Sequence, residues 1–385
     1  MIYLDNAATS WPTPDCVHEA MVRFMRDIGA NPGRSAHRRA NEAEGVRFDA
    51  RQAVADLFGV RDPMRVIFYW NATVALNVAI HGLLRCGDHV VVSGMEHNAV
   101  MRPLRALENQ GLAITVLPCR PDGTLDPNTL PAAIGPRTRL VVCNHASNVC
   151  GTILPIRELG TIAHAHHIPL LVDSAQTAGC LPIDMNADNI DLLAFTGHKG
   201  LLGPTGTGGL VLRDGFDIER LPPLICGGTG SRSDQELQPE FLPDKYEPGT
   251  PNITGIAGLL AGVGYLNSIG IDSVRRHEQT LTRRLLDGLG RLPGLEIQGV
   301  RDAERQTAVV SFTVAGQEVS AVAQRLDEEF EIMCRPGLHC APAAHRTLGT
   351  CPDGTVRFAP GFFTTEAEID QVIAAVEMIV GDGAK

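Results

Sequence analysis

Two apolar runs that each stop at a polar residue set the frame for this chain. Ile168-Pro169-Leu170-Leu171-Val172 runs into Asp173. Leu192-Leu193-Ala194-Phe195 runs through Thr196-Gly197-His198 into Lys199, and a glycine-rich turn follows from Gly200 to Gly209. Short apolar runs bounded by turn formers read as buried strands, and near-continuous apolar strands mark a parallel sheet covered on both faces. Open α/β sheets bind their ligands outside the carboxyl ends of the strands, which is where this acid and this lysine fall. A lysine enclosed at such a strand end gives up its proton more readily than one in water, the condition for an amine to condense with an aldehyde. A mobile surface loop would leave it an ordinary cation, and the stretch by itself permits both readings.

An enclosed amine with a carboxylate on the neighbouring strand is what pyridoxal 5'-phosphate requires. Its aldehyde needs the lysine, and its pyridine nitrogen needs an acid that keeps it protonated. Val172-Asp173-Ser174-Ala175-Gln176 followed by Thr196-Gly197-His198-Lys199 resembles the class V aminotransferase superfamily, in its cysteine desulfurase and selenocysteine lyase branch. The likeness runs from Tyr3-Leu4-Asp5-Asn6-Ala7-Ala8-Thr9 to near the C-terminus. The resemblance implies a fold-type I, α/β transferase assembled as a homodimer. Its large domain, residues 15–255, would hold a mainly parallel seven-stranded sheet. A small α+β C-terminal domain, residues 256–385 with the N-terminal segment 1–14, would carry a cysteine loop.

With 385 residues, 44% hydrophobic and 20% charged, the chain can bury a large core and form more than one domain. A net charge of -11 opposes a general nucleic-acid or membrane-surface binder, since those partners are anionic. An acid already stands at Asp5 and no apolar run is long enough to span a bilayer, so the expected location is cytoplasmic. The ten cysteines read as reduced thiols, with no C-x-x-C pair, and Cys143 and Cys180 sit among apolar neighbours as small hydrophobes. His164, His166 and His167 close a helical pattern before Ile168-Pro169, where such side chains serve the helix end; no metal is expected there.

Along the chain, Asn71-Ala72-Thr73 lies between a strand candidate, Arg65 to Trp70, and a helical pattern from Val74. Free N–H groups at such a helix start attract phosphate, and Thr73 either adds its hydroxyl or caps the helix. The resemblance puts the cofactor phosphate on Ala72 and Thr73, although Trp70-Asn71 and Val74-Ala75 stand where relatives often carry Arg-Gly and Glu-Gly. His97 matches the histidine lying against the pyridine ring, able to stack and to move a proton. Asn148, which also borders the substrate, and Gln176 match residues around the ring hydroxyl, and Thr196 and His198 flank Lys199. Ala8 belongs to the Asp-Asn-Ala-Ala-Thr motif bordering the site. His37 matches a histidine in a loop reaching towards it, a loop or interface role being the alternative. The passage from Lys199 to Asp244 reads as loops over the entrance. It leads into Tyr246-Glu247-Pro248-Gly249-Thr250, whose threonine would reach the neighbouring subunit's cofactor phosphate; Pro248 replaces a more usual alanine.

The second informative stretch is Cys334-Arg335-Pro336-Gly337-Leu338-His339-Cys340-Ala341. It resembles the Arg-x-Gly-x-His-Cys-Ala pattern of desulfurases with a short catalytic loop, with Leu338 where many relatives have a second histidine. Arg335 and His339 would favour the Cys340 thiolate, the form that attacks sulfur. Two other readings stay open: a zinc site from Cys334, His339, Cys340, His345 and Cys351, whose spacing fits no common pattern, and an unreactive buried cysteine. Arg357 matches the arginine that clamps the substrate carboxylate, with Arg335 beside it.

The C-terminal part reads as helix (Ser273 to Leu289), strand (Thr307 to Val314), helix (Val319 to Glu329), strand, loop, strand and a last helix opening on the capping box Thr365-Glu366-Ala367-Glu368. The activity the resemblance implies is removal of sulfur from L-cysteine, giving L-alanine and a persulfide on Cys340. A sulfur acceptor protein would take the sulfur onward, for instance to iron-sulfur cluster assembly. Lys199 would move the Cα proton and His97 would serve intermediates. Selenocysteine lyase acting on L-selenocysteine, amino transfer or epimerisation with Cys340 idle, and a scaffold without turnover are the alternatives.

Overall fold

The computed structural model describes residues 1–33 and 37–382; Arg34, Ser35 and Ala36 of the loop before His37 lie outside the described residues. Its large sheet has seven strands. In spatial order they are Val66–Tyr69, Gly208–Leu212, Leu192–Thr196, Leu170–Asp173, Thr138–Asn144, His89–Ser93 and Ala113–Leu117. Gly208–Leu212 runs antiparallel to both neighbours and every other pairing is parallel. The Asp173 and Lys199 strands are adjacent, with Asp173 beside Ala194 in register. Side chains alternate between two cores, as a strand's period of two requires. Leu170, Val172, Leu193 and Phe195 enter one, and Leu171, Leu192 and Ala194 the other.

The passage after Lys199 is not all loop. Gly208–Leu212 is a fully buried strand inside the sheet. Its glycines are what disguised it: a Cβ on Gly209 would lie 2.3 Å from the Ile67 carbonyl oxygen and one on Gly208 2.6 Å from that of Phe195. Only a residue without a side chain lets the strand lie that close to both neighbours. Strand Thr138–Asn144 ends four residues before Asn148, leaving Asn148 in the turn beyond the sheet.

A second, four-stranded antiparallel sheet has the order Arg335–Gly337, Thr355–Phe358, Val310–Val314, Leu295–Gln298. It shares a core with helices Ile271–Leu289, Val319–Phe330 and Glu366–Asp382. Leu295–Gln298 went unread because only half of its residues are buried. The capping box forms: Glu368 N donates to Thr365 Oγ1 at 3.2 Å and Thr365 N to Glu368 Oε2 at 2.7 Å. Helix Ile253–Ile269 packs against helices Asp15–Arg23 and Arg38–Leu57 and meets Ile271–Leu289 at a bend of 79° around Gly270. The N-terminal strand Ile2–Tyr3 pairs with Ile332–Met333 of the smaller unit. Among the described residues no single helix is long and apolar enough to cross a membrane.

Candidate active site

The carboxyl ends of the central strands open into a cleft lined by Asp173, Thr196, His198 and Lys199 from strand ends and turns. The same cleft is lined by Ala72, Thr73, His97, Asn148 and Gln176. The Lys199 turn is held by the N-terminal arm. Ser10 N donates to the His198 carbonyl at 2.9 Å, and Ser10 Oγ to that of Lys199 at 2.8 Å. Enclosure pushes the Lys199 ammonium down to about 8; Asp173 opposes the shift, and Arg357 and Arg335 add to it. Asp173, almost fully buried, accepts from Ala175 N at 3.0 Å.

His97 caps helix Asn98–Glu108, its Nδ1 accepting from Ala99 N at 3.0 Å. In a neutral ring that leaves the proton on Nε2. Burial lowers its pKa against the pull of Asp173, with Lys199 and Arg102 reinforcing the drop. His198 is driven to about 4 by burial and then by Lys199, and its Nδ1 meets Thr9 Oγ1 at 3.2 Å. Thr196 Oγ1 and Asn148 Oδ1 are buried without a hydrogen-bond partner among the described residues. Such orphans are costly and mark places for a ligand.

At the other end of the cleft, Asn71 and not Thr73 caps helix Ala72–Leu83, its Oδ1 accepting from Val74 N at 3.1 Å. Thr73 keeps its hydroxyl for the cleft, beside helix-start N–H groups suited to an anion.

The Cys340 turn is fixed from several sides. Asn98 N donates to the Cys340 carbonyl at 2.9 Å, Asn148 Nδ2 to that of His339 at 2.7 Å, and Ala341 N to that of Leu338 at 2.9 Å. His339 and Cys340 both have left-handed backbone, with φ of 49° and 56°. Side chains rarely adopt that conformation, and it persists only where surrounding bonds hold it. Cys340 itself is exposed, so the bland reading of a buried thiol fails. The expected help from a charged His339 fails too. Burial, then Arg357, pushes it down to about 3, and as a neutral ring its Nε2 donates to the Arg335 carbonyl at 3.0 Å. His339 therefore shapes the turn and adds no positive charge. No group of three or more metal-type ligands exists among the described residues.

Arg357 is 2% exposed; its Nη1 donates to the Asn148 carbonyl at 3.0 Å and its Nη2 to Asp5 Oδ1 at 2.6 Å. Arg335 faces it across the strand pair. Arg335, Arg357 and Cys340 do not line the Lys199 cavity itself, Cys340 being tied to it through backbone bonds, and Ala8, His37 and Thr250 stand apart from it as well. Ala8 closes a turn onto the Asp5 carbonyl, while its neighbour Ala7 accepts from Gln176 Nε2 at 3.0 Å. His37 is exposed and occupied as the cap of helix Arg38–Leu57, accepting from Ala40 N at 3.2 Å. Thr250 lines a separate cavity with Tyr69, Trp70 and Gly249.

Asn144 and Glu96 were not anticipated. Asn144 lines the cleft, and buried Glu96, pushed up to about 8 by desolvation, accepts from Ser93 Oγ at 2.5 Å and Asn144 N at 2.9 Å. An acid directly before His97, after an apolar strand, was the available signal.

A family model for class-V aminotransferases matches residues 2–372. A probable cysteine desulfurase of Methanothermobacter thermautotrophicus is 35% identical over 99% of this chain and 95% of its own length. A cysteine desulfurase of Escherichia coli is 31% identical over 98% of this chain and 93% of its own. The apo structure of a cysteine desulfurase from Thermococcus onnurineus superposes with a TM-score of 0.92 at 34% identity, covering 99% of this chain and 95% of that one. The match over residues 2–372, together with relatives 35% and 31% identical over nearly the whole length, shows that the chain belongs to the class-V aminotransferase family.

Proposed function

We propose that this protein is a pyridoxal 5'-phosphate-dependent cysteine desulfurase that moves sulfur from L-cysteine to Cys340, leaving L-alanine. The observation that carries this reading is the Cys340 turn: its backbone is pinned to the cleft through Asn98 and Asn148 while its thiol stays open to solvent. An amino-transfer reaction has no use for such a thiol. The family uses pyridoxal 5'-phosphate, and the cleft suits it. Lys199 offers an amine with a lowered pKa, Asp173 a carboxylate for the ring nitrogen, and His97 a ring face. The orphaned Thr196 Oγ1 and Asn148 Oδ1 offer polar partners, and the helix start at Ala72 and Thr73 a seat for phosphate.

When bound, the cofactor supplies an electron sink for the carbanion at the substrate Cα. The chain supplies the rest. Lys199 Nζ would hold the cofactor's aldehyde and, as a free amine, would remove the Cα proton and later return one. Asp173 would keep the cofactor's ring nitrogen protonated. His97 Nε2 exchanges a proton with the substrate, and Arg357 and Arg335 receive its carboxylate. The Cys340 thiolate attacks the substrate sulfur, so the S–Cβ bond breaks and the persulfide forms on the enzyme. The test is product analysis with L-cysteine and a thiol acceptor, alongside mass spectrometry of the Cys340 peptide. Alanine with added sulfur on Cys340 is expected. Turnover confined to L-selenocysteine, or amino transfer to an added keto acid with Cys340 unmodified, would replace the reading.

A homodimer with composite sites belongs to the same proposal. Thr250 is exposed and lies outside the Lys199 cleft of its own chain, and buried Arg51 pairs with Glu247 to anchor the segment carrying it. Trp70 is 61% exposed at the rim of the same cavity, a large apolar surface for a second copy to cover. Light scattering should give twice 41.3 kDa; a 41.3 kDa particle with full activity would refute the composite site.

We further propose the two-domain division at 15–255 and 256–385 with 1–14, helix Ile253–Ile269 being the connector that lies against the large unit. A cytoplasmic setting and a sulfur acceptor serving iron-sulfur cluster assembly complete the proposal. Ten free cysteines support a reducing compartment, and recovery of the protein outside the soluble cell fraction would count against it.

A further inference from the structure

Arg335 and Arg357 are partners in register across an antiparallel strand pair, so their side chains leave the same face. Like charges placed directly opposite destabilise a sheet unless an anion stands between them. An anion sits on Arg357: Asp5 Oδ1 accepts from its Nη2 at 2.6 Å. The other terminal nitrogen, Nη1, is engaged by the Asn148 carbonyl at 3.0 Å, and Nε is buried with no partner among the described residues. The Arg335 guanidinium forms no hydrogen bond or ion pair among the described residues. Arg357, the arginine expected to clamp the substrate carboxylate, is thus already gripped by one carboxylate.

Asp5 is not free to withdraw. Ala359 N donates to the Leu4 carbonyl at 2.7 Å and Asn6 N to that of Ala359 at 3.1 Å, so the backbone on both sides of Asp5 is bonded to the strand extension carrying Arg357. The same arm continues through Ala7, bonded by Gln176, to Ser10 on the Lys199 turn. One short segment therefore ties the arginine pair to the reactive lysine.

We propose that Asp5 is a positioning residue for the substrate carboxylate, the permanent counter-ion that fixes the Arg357 fork so that the incoming α-carboxylate is received by Arg335 together with the unpartnered Nε–H of Arg357. This deepens, and rests on, the reading of the site as acting on L-cysteine. Removing the charge of Asp5 leaves two guanidiniums facing each other without a fixed anion, and the Arg357 fork turns away from its working orientation. A displacement of about 1 Å in a substrate-positioning group costs on the order of a hundredfold where it matters for chemistry and less where it matters for binding alone.

The test uses the holoenzyme and two readouts. L-alanine, which carries the same carboxylate and amine without sulfur, is titrated calorimetrically, and KM and kcat are measured with L-cysteine. Asp5→Asn should weaken L-alanine binding and raise KM by about tenfold, with kcat changed less than about threefold, because the lost interaction is equally present in the bound and reacting states. Arg335→Gln, with Asp5 in place, should weaken L-alanine binding at least as much; it decides the question should Asp5→Asn fail to fold. Unchanged or tighter L-alanine binding in either variant overturns the inference, the latter because Asp5 would then be a competitor. A fall in kcat as large as the rise in KM overturns it as well. Wild-type protein that binds L-alanine but leaves L-cysteine intact would sink the desulfurase reading, while Asp5 would still be judged on the titration. Wild-type protein that binds no L-alanine would overturn the inference.

Discussion

Cys340→Ala should form alanine from L-cysteine roughly a thousandfold more slowly than the parent, with no added sulfur on the protein, while keeping its fold and its bound cofactor. The size follows from the role. A nucleophile that splits a difficult step in two is not replaced by water, and removing one typically costs several powers of ten. The selectivity follows from the geometry. Among the described residues only the backbone of residue 340 is bonded to the rest of the site, through Asn98 N to its carbonyl, and a methyl side chain leaves that bond intact. Left-handed backbone at φ of 56° is no easier for alanine than for cysteine, so the turn should hold about as well as before. The check is alanine production together with the visible absorbance of the loaded protein. Full alanine release by Cys340→Ala would return the protein to a general class-V reaction with an idle thiol.

Lys199→Ala should lose at least about a thousandfold in turnover and lose the covalent attachment of the cofactor, because the same nitrogen anchors the aldehyde and moves the Cα proton. The lowered pKa gives a second, graded expectation. An ordinary lysine near 10.5 is about 1 part in 3,000 free amine at pH 7, whereas one near 8 is about one tenth free amine. The free amine is the reactive form, so capture of the aldehyde by cofactor-free protein should accelerate as pH rises through about 8 and then level off. An ordinary lysine would keep accelerating towards pH 10. Stopped-flow absorbance across that range separates the two.

The central strands were legible because burial on both faces leaves runs of valine and leucine that end abruptly at function. Asp173 and Lys199 could be placed from such endings, whereas His97 was placed by the family resemblance. Strand Gly208–Leu212 was illegible for the opposite reason, since packing against Ile67 and Phe195 requires glycines, and glycines read as turn. His339 misled because a histidine beside a cysteine suggests charge, and only the structure shows the enclosure that makes it neutral. Asp5 was visible as part of a motif, but its partner lies 352 residues away. No local pattern encodes a contact made when the N-terminal arm crosses between the two sheets. Asn71 took the cap from Thr73 for a smaller reason of the same kind, a two-residue difference in where the helix starts.

The central claim is that one amine, enclosed at a strand end beside Asp173, holds the cofactor. Borohydride reduction of the reconstituted protein, followed by peptide mapping, tests it most directly. The label should appear on the peptide containing Lys199 and on no other, whereas a colourless reconstituted protein, or a label on any other side chain, would contradict the account.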